Sequence, residues 1–210
     1  MSQTYFITGI GTEVGKTIVS AIVTQALEAD YWKPVQAGDL DNSDTHKVKD
    51  LIGNKKTVFH PNAFQLKTPM SPHAAAEIDG VEIKPEEMKR PVTDNDLVVE
   101  GAGGLLVPLN NSRTIADLIK PSDKVILVSR HYLGSINHTL LSAEALKQRG
   151  LKCHGIIFSG AENPSTEDII RKMTGLPVLL RIDEEESFSK ETINKYAGRL
   201  KPVLEKMKNE

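Results

Sequence analysis

The 210-residue sequence has a single cysteine, few aromatic residues and no long apolar run. One cysteine excludes an internal disulfide and a cysteine-based metal cluster. Cys153 lies in the apolar stretch CHGIIFS, which predicts a small core residue and a reducing compartment. No run approaches the roughly 18 apolar residues of a membrane helix, and no signal-peptide pattern opens the chain. We therefore expect a cytoplasmic protein without a membrane partner.

Charge of neither sign dominates the chain. The 26 Lys and Arg residues nearly balance the 28 Asp and Glu residues, for a formal net charge of -2. The basic residues are spread along the sequence, so we expect no nucleic-acid partner. With 39% hydrophobic residues, a chain of this length can bury a sizeable core. We predict a single domain over residues 1–210.

Short apolar runs alternate with segments of helical period. The runs TYFITG, YWKPV, DLVVEGA, KVILVS, CHGIIFS and PVLLRI predict strands, and KTIVSAIVTQALEA, SINHTLLSAEALKQRG and STEDIIRKMTG predict helices. This alternation favours an α/β fold with a doubly wound, mostly parallel sheet that carries helices on both faces. Residues 37–95 are rich in turn formers and predict functional loops. The tail, residues 189–210, predicts a surface helix interrupted near Pro202.

Residues 5–21, YFITGIGTEVGKTIVSA, predict a strand, a glycine-rich turn and a helix in that order. Gly15 lets the backbone approach a phosphate, Lys16 would neutralise the β- and γ-phosphates, and the Thr17 hydroxyl would ligate Mg²⁺. Gly9 and Gly15 are separated by five residues, whereas the strict pattern has about four. We predict an enlarged phosphate loop in a domain of P-loop NTPase type. The alternative is an ordinary glycine turn with a surface lysine.

Besides the loop hydroxyl, a phosphate loop needs an acidic residue from another strand to hold the metal. The stretch DLVVEGAGG supplies Glu100 at the end of a predicted buried strand. Ligands of open α/β folds bind at that edge of the sheet. Gly101, Gly103 and Gly104 leave room for a ligand. The alternative interpretation of Glu100 is a solvated glutamate at the end of a strand. Asp44, in DNSDTH, is either a further metal carboxylate or a helix cap.

Lys33 lies in the apolar segment YWKPVQAG, immediately before Pro34, which enforces an extended conformation. A strand beside the first would direct this lysine toward the same phosphates. A second cation there helps another anion to approach the nucleotide, because like charges repel strongly in a site of low dielectric constant. The alternative is a lysine whose stem covers the core while its head reaches water.

Together these motifs resemble the dethiobiotin synthetase family. The matching pieces, from residue 5 to about residue 141, are TGIGTEVGKT, KPVQAG, NSD, SPH, VVEGAGGLLVPL, VILV and LGSINH. The resemblance implies ATP- and Mg²⁺-dependent carboxylation and ring closure of 7,8-diaminononanoate with CO₂. The implied products are dethiobiotin, ADP and phosphate, formed by way of a carbamate and a carbamic-phosphoric anhydride. It also implies a homodimer with the substrate near the subunit interface.

The resemblance further implies roles for individual residues. The implied catalytic residues are Lys33 and Lys16, and the implied Mg²⁺ ligands are Thr17, Asp44 and Glu100. Implied contacts to ATP come from Thr12, Glu13, Val14, Gly15, Lys16, Thr17, Asp44, Glu100, Gly101, Ala102 and Gly103. Implied contacts to the diamine substrate come from Lys33, Ala37, Gly134, Ser135, Ile136 and Asn137. The start of LGSINH also predicts a helix N-cap at Ser135, and the two roles are compatible.

The chain departs from the family pattern at two places. Ala37 stands where the family usually has Ser or Thr, so only a backbone contact to substrate remains there. Near the adenine site, FSGAENP and LLRIDEEE replace the usual motifs. The candidate base contacts in these two stretches are Ser159, Gly160, Asp183 and Glu184. Base selectivity is therefore either relaxed or built from backbone atoms.

Two other functional classes share the phosphate loop. A small-molecule kinase usually closes an arginine-bearing lid over the phosphates, and this sequence has no clustered arginines. A partitioning-type ATPase commonly carries a lysine just after the first glycine of the loop, where this chain has Ile10. His73 and His138 are either proton acceptors or hydrogen-bonded structural groups.

Overall fold

The computed structural model describes residues 2–208. Its strands are Thr4–Gly9 (β1), Asp30–Trp32 (β2), Val35–Ala37 (β3), Phe59–His60 (β4), Phe64–Leu66 (β5), Leu97–Gly104 (β6), Lys124–Arg130 (β7), Cys153–Ser159 (β8) and Val178–Ile182 (β9). Its α-helices are Lys16–Leu27 (α1), Asp44–Leu51 (α2), Pro72–Asp79 (α3), Ser135–Gln148 (α4), Pro164–Thr174 (α5) and Lys190–Lys208 (α6). Residues 1, 209 and 210, which belong to the predicted domain and tail, lie outside the described residues.

Seven of these strands form one sheet in the order β4-β2-β6-β1-β7-β8-β9, and every paired neighbour is parallel. The chain moves outward from β1 in one direction to β2, and later in the other direction to β7, β8 and β9. This order confirms the predicted doubly wound sheet. It also puts the carboxyl ends of β1, β2 and β6 side by side, which is where ligands bind in such folds.

Side chains of β1 alternate between two buried cores. Tyr5 and Ile7 belong to a cluster that also contains α1 and α6, whereas Phe6 belongs to a second cluster with Val99 of β6 and Leu146 of α4. Because adjacent residues of a strand point to opposite faces, a strand buried on both faces is apolar throughout. Helices therefore cover both faces of the sheet, as predicted.

The segment YWKPV, predicted as one strand, contributes to two sheets. Trp32, the last residue of β2, pairs with β4 and β6, whereas Val35 begins β3, which pairs only with β5. The break falls at Lys33 and Pro34 because proline has no N–H to continue the ladder. The Pro34 carbonyl instead accepts hydrogen bonds from Ala63 and Phe64. This break leaves Lys33 at the carboxyl end of β2.

The predicted interruption of the last helix near Pro202 is wrong. Helix α6 runs without a break from Lys190 to Lys208 with Pro202 inside it. Proline in a helix costs about 3 kcal/mol. The cost is offset because α6 buries an apolar stripe against α1 and the sheet. The buried members of that stripe are Ile193, Tyr196, Ala197, Leu200, Leu204 and Met207.

Two further features complete the architecture. Residues 37–95, predicted as loops, hold the short elements α2, α3, β4 and β5 among irregular segments. Cys153 is half-buried and packs against both cores, and burial raises the pKa of its thiol to about 11. Among residues 2–208, no helix combines the length and the apolar character required to cross a membrane.

Gly198 provides a test of the continuous helix α6. A methyl group at Gly198 would meet nothing within 4 Å apart from its own helix, and Gly198 lies outside the positive-φ region. We expect Gly198→Ala to raise the free energy of unfolding by about 0.5–1 kcal/mol, because alanine loses less backbone entropy in a helix. Urea unfolding followed by circular dichroism measures the change.

Gly80, which ends α3, is the matched control. Its surroundings are equally open, but its φ of 66° disfavours a side chain. Gly80→Ala should lower the free energy of unfolding by about 1 kcal/mol. A loss of stability in Gly198→Ala would contradict a continuous helix at that position.

Candidate active site

A cavity of about 340 Å³ opens at the carboxyl edge of the main sheet, between the phosphate loop and the ends of β2, β6 and β7. Its lining residues are Thr12, Glu13, Gly15, Lys16, Thr17, Ile18, Lys33, Asp44, Glu100, Gly103 and Arg130. The structure thus brings together most of the residues predicted to bind phosphate and metal. They come from five separate segments of the chain.

The phosphate loop is held by a contact within itself. The Lys16 Nζ donates to the Gly11 carbonyl over 2.8 Å, which folds the lysine back across the loop. Gly15 has a φ of 94°, and Glu13 also lies in the left-handed region with a φ of 57°. Val14 is buried and does not line the cavity. The extra residue of the loop is thus accommodated by two left-handed positions.

Burial lowers the pKa of Lys16 to about 8, and repulsion from Lys33 acts in the same direction. The carboxylates Glu100 and Asp44 oppose this shift. The loop lysine therefore lies among charges of both signs before any phosphate is considered. An anion bound close to it would favour its protonated form.

Lys33 is the centre of the cavity's charged groups. Its Nζ donates to Asp44 Oδ2 over 2.5 Å and to Glu100 Oε1 over 2.9 Å, and the Lys33 side chain is only 4% exposed. Burial alone would lower the pKa of Lys33, but the charges of Glu100 and Asp44 outweigh it and hold that pKa above its usual value. Burial alone would raise the pKa of Asp44, but attraction to Lys33 and the hydrogen bond from Lys33, together with Lys47 and Thr17, outweigh it and lower that pKa. Lys33 and Asp44 are therefore both charged.

Glu100 joins this pair to the phosphate loop and to the core. The Thr17 hydroxyl donates to Glu100 Oε1 over 3.1 Å, and the Tyr31 hydroxyl donates to Glu100 Oε2 over 2.9 Å. Glu100 is fully buried, so its charge depends on these donors and on Lys33. Burial raises the pKa of Tyr31 well above its usual value, and the Glu100 charge adds to the effect, so the phenol remains a donor.

Ser43, and not Asp44, caps helix α2. Its hydroxyl accepts from the His46 amide, while Asp44 is the first residue of the helix. The Asp44 carboxylate therefore does not cap the helix, and it accepts a hydrogen bond from Lys33.

At the start of α4, the N-cap is Gly134, so the prediction of a cap at Ser135 is wrong. Gly134 takes that position because its φ of 102° is open only to glycine without strain.

The candidate base contacts are divided between two places. Ser159, at the end of β8, is buried beside the phosphate loop, and a methyl group on Gly15 would lie 2.9 Å from its Oγ. Glu184 accepts from the Ala161 amide and from Arg130 near Gly160. The Asp183 carboxylate turns elsewhere, to Arg181 and Tyr196. Ser159 therefore lies near the cavity, whereas Asp183 does not line it.

The predicted substrate contacts other than Lys33 also lie outside the 340 Å³ cavity. Ala37 is half-buried in β3. The start of α4 approaches the phosphate loop from another side. There the Tyr132 hydroxyl and His138 Nδ1 are 2.8 Å apart, and His138 lines a separate hollow of about 390 Å³ with residues 10–12 of the loop.

Two residues of the site were missed at the level of sequence. Arg130 ends β7, lines the cavity and donates to Glu184 Oε1 over 2.9 Å. The strand-end argument that identified Glu100 applies equally to Arg130 and would have found it. Tyr31 lies inside a strand, where a tyrosine is an ordinary core residue, and nothing in its sequence surroundings indicates the contact with Glu100.

The chain is similar to several known proteins over most of its length. A family model described as an AAA domain matches residues 3–192. A protein of Christiangramia forsetii named ATP-dependent dethiobiotin synthetase is 63% identical over 97% of this chain and 99% of its own length. Proteins of the same name from Cytophaga hutchinsonii and Chlamydia pneumoniae are 52% and 42% identical, over 93% and 96% of this chain and 96% and 90% of their own lengths.

Solved structures show the same fold at low identity. The cell division ATPase MinD of Pyrococcus furiosus has a TM-score of 0.59 and is 16% identical, over 97% of this chain and 100% of that one. A ParA family ATPase from Chlorobium tepidum has a TM-score of 0.57 at 16% identity, over 97% and 92% of the two chains. These structures support the P-loop NTPase fold.

Gly15 provides a test of the loop conformation. Gly15→Ala should lower the affinity for ATP by roughly 10–100-fold, because a side chain at a φ of 94° is strained by about 1–3 kcal/mol and meets Ser159. Gly11→Ala is the control within the same loop. A methyl group there would meet its nearest neighbour at 3.8 Å, so this variant should remain folded. Equilibrium titration with a fluorescent ATP analogue measures the affinity, and an unchanged value for Gly15→Ala would contradict the loop conformation.

Proposed function

The chain belongs to the ATP-dependent dethiobiotin synthetase family, and from that membership we propose the part that its residues take in the reaction. The enzyme is an ATP-dependent cyclo-ligase that forms dethiobiotin in biotin biosynthesis. The observation that supports the assignment of residues is the meeting of Thr17, Lys33 and Glu100 beside the phosphate loop.

The reaction that we propose has three steps. One amine of 7,8-diaminononanoate attacks the carbon of CO₂ and loses a proton, which gives a carbamate. A carbamate oxygen then attacks the γ-phosphorus of ATP, the bond to ADP breaks, and a carbamic-phosphoric anhydride forms. The second amine attacks the carbonyl carbon, expels phosphate and closes the urea ring. These steps require positioning and charge stabilisation more than a nucleophile from the protein.

The phosphate loop is proposed to bind the triphosphate. Residues 12–17 present backbone amides at the start of α1, where the helix dipole favours negative charge. Lys16 adds a side-chain cation that already lies against the loop, 2.8 Å from the Gly11 carbonyl. Gly103 lines the cavity three residues after Glu100 and leaves room for the nucleotide, whereas Gly101 packs against Ile115 and Phe6. Contacts of Gly101 and Ala102 with the nucleotide are proposed from the family resemblance alone.

The oxygen donors of this site fit Mg²⁺. Thr17 Oγ1 lies 3.1 Å from Glu100 Oε1, and the carboxylates of Asp44 and Glu100 flank a single cation, the Lys33 ammonium. Mg²⁺ prefers hard oxygen ligands and commonly takes one or two carboxylates together with phosphate oxygens and water. When bound, Mg²⁺ would neutralise charge on the transferring phosphoryl group. We propose Thr17, Asp44 and Glu100 as its protein ligands.

Lys33 is proposed to stabilise the anions that meet during the reaction. The pKa of Lys33 is held above its usual value, and its ammonium contacts the carboxylates of Asp44 and Glu100, two of the proposed metal ligands. A carbamate and a triphosphate repel each other, and a fixed cation between them lowers the barrier to their approach. Lys33 thus acts by charge and position, with no change of its own protonation state required.

The diamine substrate is proposed to bind near the interface of a homodimer. Leu133, at the start of α4, is fully exposed, and Leu106 and Leu141 are exposed beside the 390 Å³ hollow. Exposed apolar side chains next to a site are typical of an interaction surface. The amides of Gly134, Ile136 and Asn137 at the start of α4 are proposed to hold the substrate carboxylate, because the Ser135 amide already donates to the Tyr132 carbonyl over 2.9 Å. Ser135 is then proposed to contact the substrate through its side chain, and Ala37 contributes only its backbone.

Two further assignments remain proposals. We place the enzyme in the cytoplasm, in keeping with its single free cysteine. For the base, we propose contacts from Ser159, Gly160 and Glu184. Asp183 is the weakest candidate among the predicted base contacts because its partners Arg181 and Tyr196 do not line the cavity, whereas Arg130, the partner of Glu184, does.

The proposed reaction is tested by incubating the purified protein with Mg·ATP, isotopically labelled bicarbonate and 7,8-diaminononanoate. We expect a cyclic urea that carries the labelled carbon, detected by mass spectrometry, and release of phosphate only when bicarbonate and the diamine are both present. Phosphate release that is independent of bicarbonate would point to a simple ATPase, and ADP formation with a phosphorylated diamine but no free phosphate would point to a kinase. Absence of the labelled product at saturating substrate would contradict the proposal.

A further inference from the structure

Tyr31 divides the two oxygens of Glu100 between the core and the cavity. Its hydroxyl donates to Oε2 over 2.9 Å, while Oε1 accepts from Thr17 and Lys33 on the cavity side. Tyr31 and Glu100 are both fully buried. One oxygen of the carboxylate is thus tied to the interior of the protein, and the other is directed to the phosphate loop.

The register of the sheet explains how Tyr31 reaches Glu100. Strand β2 lies beside β6, with Tyr31 opposite Val98. Residues two apart on a strand share a face, so Val98 and Glu100 point to the side on which Tyr31 lies. The long tyrosine side chain extends from the level of Val98 to the carboxylate of Glu100. Its ring packs against Phe59 with centroids 5.8 Å apart, which fixes its direction.

This contact has the properties of a hydrogen bond that orients a metal ligand. A bond from a neutral phenol to a buried carboxylate is charge-assisted, and leaving either partner alone in the core is costly. Outer partners that hold ligating carboxylates typically change metal affinity by about 10–100-fold when removed. We infer that Tyr31 is a positioning residue whose hydroxyl holds Glu100 so that Oε1 faces Mg²⁺ beside Thr17. This inference rests on the metal role proposed above for Glu100.

Tyr5 offers a matched control on β1, which pairs with β6 on the side opposite to β2. It is also fully buried, but its hydroxyl has no hydrogen-bond partner among the described residues. Tyr5→Phe and Tyr31→Phe therefore remove the same atom from the same core. They differ in whether that atom contacts Glu100.

The experiment measures the affinity for a fluorescent ADP analogue as a function of Mg²⁺ concentration, and again in the presence of a chelator. For Tyr31→Phe we expect the Mg²⁺ concentration at half-saturation to rise about 10-fold, with the metal-free nucleotide affinity unchanged. Tyr5→Phe should match the wild type in both measurements. Because each variant is compared with its own metal-free affinity, a smaller fraction of folded protein does not alter the result.

Two outcomes would overturn the inference. The first is a Mg²⁺ dependence of Tyr31→Phe equal to that of the wild type. The second is an equal loss of affinity with and without Mg²⁺, which would mark Tyr31 as a packing residue only. A wild-type protein whose nucleotide affinity does not respond to Mg²⁺ would instead refute the proposed metal site, and the inference with it. The wild-type measurement therefore separates the two failures.

The Glu100→Gln background allows a second test, which does not depend on whether the single variant Tyr31→Phe folds. If Tyr31 acts through the Glu100 carboxylate, adding Tyr31→Phe to Glu100→Gln should leave the Mg²⁺ dependence within about twofold of Glu100→Gln, since coupled residues are not additive. A further loss of Mg²⁺ affinity in the double variant would overturn the inference. The neutral amide of this background also avoids a buried charge without its donor.

Discussion

The site depends on one buried cation between two carboxylates. Glu100 has no exposed surface, and Asp44 lies on the other side of the same Lys33 ammonium. A buried carboxylate is stable only with compensating charge and hydrogen bonds, and removing one partner of such a pair typically costs about 3–5 kcal/mol. Lys33 therefore allows two acids to lie beside a phosphate loop. The metal and phosphate chemistry proposed for this site requires both acids.

The fold provides this arrangement by its strand order. Lys33 follows β2 and Glu100 lies in β6, 67 residues apart in sequence, but the two strands are neighbours in the sheet. The break in the ladder at Pro34 ends β2 one residue before Lys33 and sends the chain into the second sheet. Asp44 then returns on the first turn of α2, with Ser43 taking the cap. The strand order, the break at Pro34 and the start of α2 thus bring Lys33, Glu100 and Asp44 together.

Much of the fold and of the site was predictable from the sequence where a local rule applied. The phosphate loop and the parallel sheet follow from strand, turn and helix patterns. Glu100 was expected at a strand end; it lines the cavity as predicted, but it lies inside β6, which continues to Gly104. The contacts of Tyr31 and the pairing of Lys33 with both carboxylates depend on which strands become neighbours, and no local pattern contains that information. The continuity of α6 through Pro202 was mispredicted because tertiary packing offset a local penalty. Arg130 was overlooked although the strand-end rule covered it.

The central claim, that the Lys33 charge acts in the reaction and not in holding ATP, is tested most directly by Lys33→Gln with Lys56→Gln, an exposed surface lysine, as control. Turnover and Mg·ATP affinity are measured on the same samples. We expect turnover in Lys33→Gln to fall by about 100-fold or more and Mg·ATP affinity to fall much less, by about tenfold at most, because the main loss is of a group that stabilises a transition state while the two carboxylates also lose their cation. Equal losses of turnover and affinity, or normal turnover, would contradict the claim.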